Sequence, residues 1–274
     1  MPTQSPLGFS WDPLALVPLL QDESVDRAAA RFRQALPHAV WEAAKFEDSP
    51  YTFPEVQTLM DGVTVGGHTL ADQRLVLGLA DAAREMVATV TSGTFRLDKA
   101  TSDGLHRRIA TGQAIEAGHV RSEGQAHGGG TLRLGEAGFY DAPEPGAGGS
   151  HLRGVFAEGI DYLTTDVADP GLQALLYAPW AIRSQFYFDG NKRTARWMMN
   201  GHLMLHGLEP IGVPVARRQE WNAALVTLFA RAEATDLLKI LAGCQFSRIE
   251  EQSRTAGLTV TWRRQGTAEG SGTG

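Results

Sequence analysis

The chain has 274 residues, 43% hydrophobic and 20% charged, which suits a soluble globular fold with a large core and excludes a low-complexity or fibrous polymer. A net charge of −6 with scattered basic residues excludes a broad nucleic-acid-binding face, while leaving room for a compact phosphate site built from a few arginines. The one cysteine, Cys244, rules out an intrachain disulfide and a cysteine zinc cluster; its apolar neighbours Leu237, Leu238, Ile240 and Leu241 predict a buried structural thiol.

At the N-terminus there is no basic segment followed by a long apolar one, since Asp12 interrupts the only candidate. No window reaches the ~18–20 apolar residues of a membrane helix. The expectation is a cytoplasmic protein with no membrane contact. Ser24 predicts a capped helix through Arg33, with Pro37 breaking or kinking it before a second piece from His38 to about Phe46. Thr52, with Glu55 in capping-box spacing, and Thr69 predict the next two starts. The second of these helices, Leu70 to about Val90, carries Leu75, Leu79, Ala82, Ala83 and Met86 at core spacing. A short helix is expected over Ser102 to Thr111, ended by Gly112.

From Gly118 to Gly149 the helical period vanishes and glycine dominates. Two short runs, Thr131 to Leu134 and Gly138 to Tyr140, read as a β-hairpin or flap, with a disordered insertion as the alternative for 122–130. Helical pattern resumes at Leu152 to Leu163 and Leu172 to Arg183, where Pro179 predicts an end or a bend. It continues over Asn191 to His206 with Gly207 as C-terminal cap, then over Gln219–Ala232 and Leu237–Phe246. The whole reads as one mainly α-helical domain over 1–263 with one hairpin, and a disordered tail at 264–274.

The most informative stretch is Gln185-Phe-Tyr-Phe-Asp-Gly-Asn-Lys-Arg-Thr-Ala-Arg196. It is a loop running into a helix N-terminus, where unpaired N–H groups and the positive dipole end favour an anion. Gly190 permits positive φ and a close backbone approach; Arg193 and Arg196, three apart, share one helix face and can grip phosphates. Read by spacing alone, Asp189 is either a helix cap or a ligand for a divalent cation.

This stretch resembles the signature of the Fic (filamentation induced by cAMP) family, His-x-Phe-x-Asp/Glu-Gly-Asn-Gly/Lys-Arg-x-x-Arg. Asp189, Gly190, Asn191, Lys192, Arg193 and Arg196 match; the family's Phe falls on Tyr187 and its catalytic His on Gln185. Weaker likeness extends to Leu105-His106 and to Gly118-His119-Val120-Arg121. The resemblance implies a Fic-type helical bundle with a small β-hairpin flap at about 118–149 that docks a target protein by strand addition. It implies ATP as substrate and Mg²⁺ held at Asp189, with phosphates on Gly190, Asn191, Lys192, Arg193 and Arg196, and Asn200 near the base or ribose. Arg193 and the residue at 185 would then be catalytic, and AMP would pass to a Ser, Thr or Tyr hydroxyl.

Gln185 departs from this pattern, because a carboxamide has no basic site near pH 7 and cannot take the hydroxyl proton. The implied activity is therefore an impaired or altered protein adenylyltransferase. Alternatives are a catalytically inactive nucleotide-binding scaffold or regulator, a phosphotransferase relative suggested by Lys192, or a knocked-out form of an ordinary enzyme. The family's inhibitory helix would fall at about 38–60, where Glu47 matches the inhibitory glutamate and would pair with Arg196, while Ala43 and Asp48 do not match. Family habit also implies a possible homodimer.

Overall fold

The computed structural model describes residues 6–22 and 24–256, and in it the capping signals become helix starts. Ser24 Oγ accepts from the Arg27 N–H and opens α1 (Val25–Lys45). Thr52 with Glu55, and Thr69 with Asp72, form the capping boxes of α2 (Phe53–Met60) and α3 (Leu70–Thr91). Asp98 caps α4 (Lys99–Ala110), which begins ahead of the expected Ser102. The hairpin pairs β1 (Thr131–Arg133) with β2 (Phe139–Asp141) antiparallel, Leu132 facing Tyr140. After it come α5 (Ser150–Thr165) and α6 (Pro170–Ser184), the latter capped by Asp169 with Pro170 in its first turn. The described residues close with α7 (Asn191–Leu205), α8 (Arg218–Arg231), α9 (Thr235–Ala242) and α10 (Phe246–Thr255).

Three expectations need correction, and one alternative falls away. Pro37 does not break α1, which runs unbroken for 21 residues. The proline forfeits one helical hydrogen bond, but the buried stripe Phe32, Ala35, Leu36, Ala39, Val40 and Ala43 continues across it and packs on α3, which outweighs the local loss. Pro179 likewise lies inside a continuous α6, among buried Leu175, Leu176 and Trp180. The helix expected over Leu237–Phe246 stops at Ala242, and Phe246 begins α10, which the sequence reading did not contain. Segment 122–130 is an ordered set of bends: Glu116 accepts from the Gln125 and Ala126 N–H groups, and Ser122 Oγ from that of Gly128. The predicted tail at 264–274 and the domain limit at 263 lie outside the described residues.

α7 is the central element, buried along almost its whole length and packed on α6, α3, α4 and α1. Such close packing needs small residues at the crossings. A Cβ on Gly201 would collide with the Phe95 ring, and one on Gly159 of α5 with the Trp180 indole. Trp180 and Phe186 meet edge to face at 5.1 Å within this core. Cys244 is buried, which pushes its thiol pKa up. Among the described residues no helix is long and apolar enough to cross a membrane.

Candidate functional site

Between α6 and α7 the loop 185–190 is folded by its own side chains. Gln185 ends α6 in the left-handed region (φ 46°, ψ 52°). Its Nε2 donates to the Ile182 carbonyl at 2.6 Å, and its Oε1 accepts from Asn191 Nδ2 at 3.2 Å. Asn191 also accepts from the Tyr187 N–H at 2.9 Å and donates to the Tyr187 carbonyl at 2.7 Å, stapling loop to helix. Gly190, at φ 77°, is the cap residue and offers no side chain, so the N–H groups of Asn191, Lys192 and Arg193 lack helical acceptors. The first helical bond runs from Thr194 N–H to the Gly190 carbonyl.

Asp189 projects outward with a side chain 60% exposed; Oδ1 accepts from the Gly190 N–H at 2.6 Å and Oδ2 from Arg193 at 3.0 Å. It thus serves as part of the turn while keeping lone pairs toward solvent. His106 on α4 holds this loop from beneath. Its Nδ1 accepts from the Gly118 N–H at 2.9 Å, which leaves Nε2–H to donate to the Asp189 carbonyl at 2.8 Å. Burial lowers its pKa to about 4, so it is neutral at pH 7. With both ring nitrogens engaged, it is no substitute base.

The loop opens onto a cavity of about 300 Å³. Gln185, Asp189, Gly190, Asn191, Lys192 and Arg193 form one wall, the flap residues Leu132, Arg133 and Leu134 another, and Leu225, Phe229 and Glu47 close it. No histidine lines it. Glu47 enters just past α1, with Oε1 3.8 Å from Lys192 Nζ and 3.9 Å from Arg193 Nε. The expected Glu47–Arg196 ion pair is not among the ion pairs of the described residues. Arg196 lies deeper, its guanidinium 5.1 Å above the Phe46 ring, and burial lowers its pKa to about 10 against the opposing charges of Glu47 and Glu42.

Asn200 also takes a different place from the expected one. Its Nδ2 donates to the Arg196 and Ile211 carbonyls and its Oδ1 accepts from the Ile211 N–H at 2.7 Å, so the amide is spent on the loop after α7. Glu47 Oε1, Arg193 Nε and Arg196 Nε are buried atoms with no hydrogen-bond partner. The two arginine Nε donors without acceptors, near an uncapped helix start, are what an anion would satisfy. Among the described residues no cluster of three or more His, Cys, Asp or Glu could hold a metal. A cation at Asp189 therefore needs phosphate oxygens and water to complete its shell, the usual condition for Mg²⁺.

Arg121 is the site residue that sequence reasoning passed over, named only as part of a Gly-x-x-Arg likeness. It is buried at 1% exposure, and among the described residues no carboxylate lies within ion-pair distance of it. Instead Nε donates to the Gln185 carbonyl at 2.6 Å, one terminal nitrogen to Gly129 at 2.5 Å, and the other to Pro143 at 2.8 Å. Its own N–H donates to the Phe186 carbonyl at 2.7 Å. One guanidinium thus joins both feet of the flap to position 185. Glycines at 118 and 130 make room for arginines, and Gly130 (φ 100°) lies directly against Arg121.

Behind Arg196, Glu42 is buried on α1, and burial raises its pKa to about 7 despite the Val215 N–H it accepts and the charge of Arg196. The folded state therefore keeps a proton that the unfolded chain, with an ordinary value of 4.5, has already released. Stability should fall as pH rises through this window, by roughly 3 kcal/mol in total. Glu42→Gln should remove that slope and unfold later than wild type above pH 7. His38, whose Nε2 lies 3.6 Å from Glu42 Oε1 and which burial pushes down to about 4, contributes an opposite slope over much of the same window. Thermal unfolding between pH 5 and 8 checks this; parallel curves for the two would contradict it.

No family model matches the sequence. The architecture is nevertheless that of solved Fic structures. Fic-1 from C. elegans superposes with a TM-score of 0.67 at 18% identity, over 84% of this chain and 66% of that one. A Fic family protein from Desulfovibrio desulfuricans G20 gives 0.65 at 17%, over 86% and 74%. A Fic domain containing signaling protein from Bacteroides thetaiotaomicron gives 0.65 at 16%, over 88% and 92%. The chain thus shares the Fic fold, mostly helical with a two-stranded hairpin, and spans just under two thirds of the C. elegans chain.

Proposed function

We propose that this chain is a Fic-type nucleotidyltransferase of low intrinsic rate, binding Mg²⁺–ATP at the N-terminus of α7 and passing AMP to a Ser, Thr or Tyr hydroxyl of a target protein. The observation that carries this reading is the uncapped helix start beside an exposed Asp189 and an Arg193 whose Nε has no hydrogen-bond partner, all on one cavity. The N–H groups of Asn191, Lys192 and Arg193 bind phosphate oxygens, and the Arg193 guanidinium fixes their orientation. Mg²⁺, held by Asp189 and phosphate oxygens, would offset the charge of the departing diphosphate. The flap offers the target a strand edge, with Phe139 exposed beside it. Gln185 can orient the attacking hydroxyl but cannot receive its proton, which accounts for the low rate.

A second reading, a nucleotide-binding regulator that transfers nothing, is favoured by one observation: the Gln185 carboxamide is already tied to Ile182 and Asn191. Both readings require nucleotide binding, so calorimetric titration with ATP and Mg²⁺ tests them together. Glu47 places a carboxylate where phosphate charge would go, and Glu47→Gly should tighten binding about tenfold. Absence of binding by either protein would overturn both readings. Equal affinities would remove the inhibitory role of Glu47 alone.

A further inference from the structure

Tyr187 is buried, and its ring stacks on His106 with centroids 3.7 Å apart and planes 7° apart. A phenylalanine would make the same stack. The hydroxyl adds something else: it donates to Asp103 Oδ1 at 2.9 Å and meets Ser102 Oγ at 2.7 Å. Tyr177 donates to the same Ser102 Oγ at 3.4 Å. Asp103 is held in turn by Lys99 at 2.5 Å, and Lys99 also grips Glu123 at 3.0 Å. Glu123 accepts from the Val120 N–H at 3.0 Å. A chain of polar contacts thus runs from the entry of the flap, along α4, into the floor of the loop that carries Asp189.

We propose that Asp103, acting through the Tyr187 hydroxyl, is a positioning residue for the Asp189–Arg193 segment; this rests on the nucleotide-binding reading above. Neither residue lines the cavity, so neither is catalytic. The physical argument concerns how few placements the ring has. A half-buried carboxylate and a buried phenol are tolerated only if their hydrogen bonds are made, which fixes the ring along its own axis. The ring fixes the imidazole by stacking, and the imidazole fixes the Asp189 carbonyl at 2.8 Å. Asn191 fixes the Tyr187 backbone from the other side at 2.9 and 2.7 Å. Without the hydroxyl the ring keeps its burial but can slide, and the Asp189 turn slides with it.

Three variants separate positioning from mere stability. Tyr187→Phe keeps the stack and loses the hydroxyl; Asp103→Leu loses the acceptor; Asp103→Asn keeps an oxygen that accepts from Tyr187. ATP affinity is measured with Mg²⁺ and with chelator, alongside amide hydrogen exchange over residues 185–191 and thermal unfolding. Tyr187→Phe and Asp103→Leu should each weaken Mg²⁺-dependent binding about tenfold and speed exchange in the loop, with Asp103→Asn close to wild type. Chelated ATP should respond less, because the carboxylate of Asp189 is then not used. A lower melting temperature with unchanged affinity and exchange would overturn the proposal, as would failure of Asp103→Asn to rescue. If wild type binds no ATP yet loop exchange follows this order, the positioning role stands and the nucleotide reading falls.

Discussion

Gln185→His should raise AMP transfer by about 10²- to 10⁴-fold, the usual contribution of a positioned general base. An imidazole with a pKa near 6.5 can take the hydroxyl proton at neutral pH, which a carboxamide cannot. The backbone is prepared for the change: φ at 185 is +46°, and histidine is among the non-glycine residues enriched in the left-handed region. The measurement is transfer of α-phosphate label from ATP, with Mg²⁺, to protein in a lysate, in the Glu47→Gly background. The histidine form should also show a rate that falls as pH drops through about 6.5. Equal label with glutamine in place would mean that the base is dispensable. Label from the histidine form alone would make the natural chain a nucleotide binder. No label from either would point away from AMP transfer.

Arg121→Met should release the flap and cost about 2–4 kcal/mol of stability. The side chain is fully enclosed, and its loss strands the carbonyls of Gln185, Gly129 and Pro143, each of which now accepts a charge-assisted hydrogen bond. Lysine should not rescue it, since a single ammonium cannot face three carbonyls that a planar guanidinium spans. Hydrogen exchange over residues 128–143 should rise more than in the helical core, and transfer to a protein target should fall more than ATP affinity does. Unchanged flap protection would show that strand pairing and the Tyr140 hydroxyl bond to the Arg183 carbonyl suffice to hold it.

Much of this fold was legible because its helices announce themselves locally. Ser24, Thr52 and Thr69 each cap the helix they predict, and the hairpin falls between the runs around Gly135. What stayed illegible depends on partners distant in sequence. Pro37 read as a break or kink and Pro179 as an end or bend; neither ends its helix, because the burial that sustains α1 and α6 comes from other helices. α10 was missed because its polar face hides an anchor: Gln245 just before it is fully buried and bonds Leu20 and Glu209. At the site, the signature placed Asp189, Gly190, Asn191, Lys192 and Arg193 on one cavity. Asn200 and Glu47 were assigned from the family resemblance and have other partners here, since a motif match does not say which neighbours the fold brings beside it. Arg121 carried only its likeness, because a buried arginine served by carbonyls has no charged partner to betray it.

The left-handed turn at 185 has an evolutionary corollary. Glutamine and histidine differ by a single base change, and the fold holds residue 185 by its backbone carbonyl through Arg121 as well as by its side chain. The bond from Arg121 survives an exchange of the two, whereas the side-chain bonds to Ile182 and Asn191 belong to glutamine. One base change at this position therefore exchanges a carboxamide for an imidazole at the mouth of the cavity while the backbone hold on the loop stays in place.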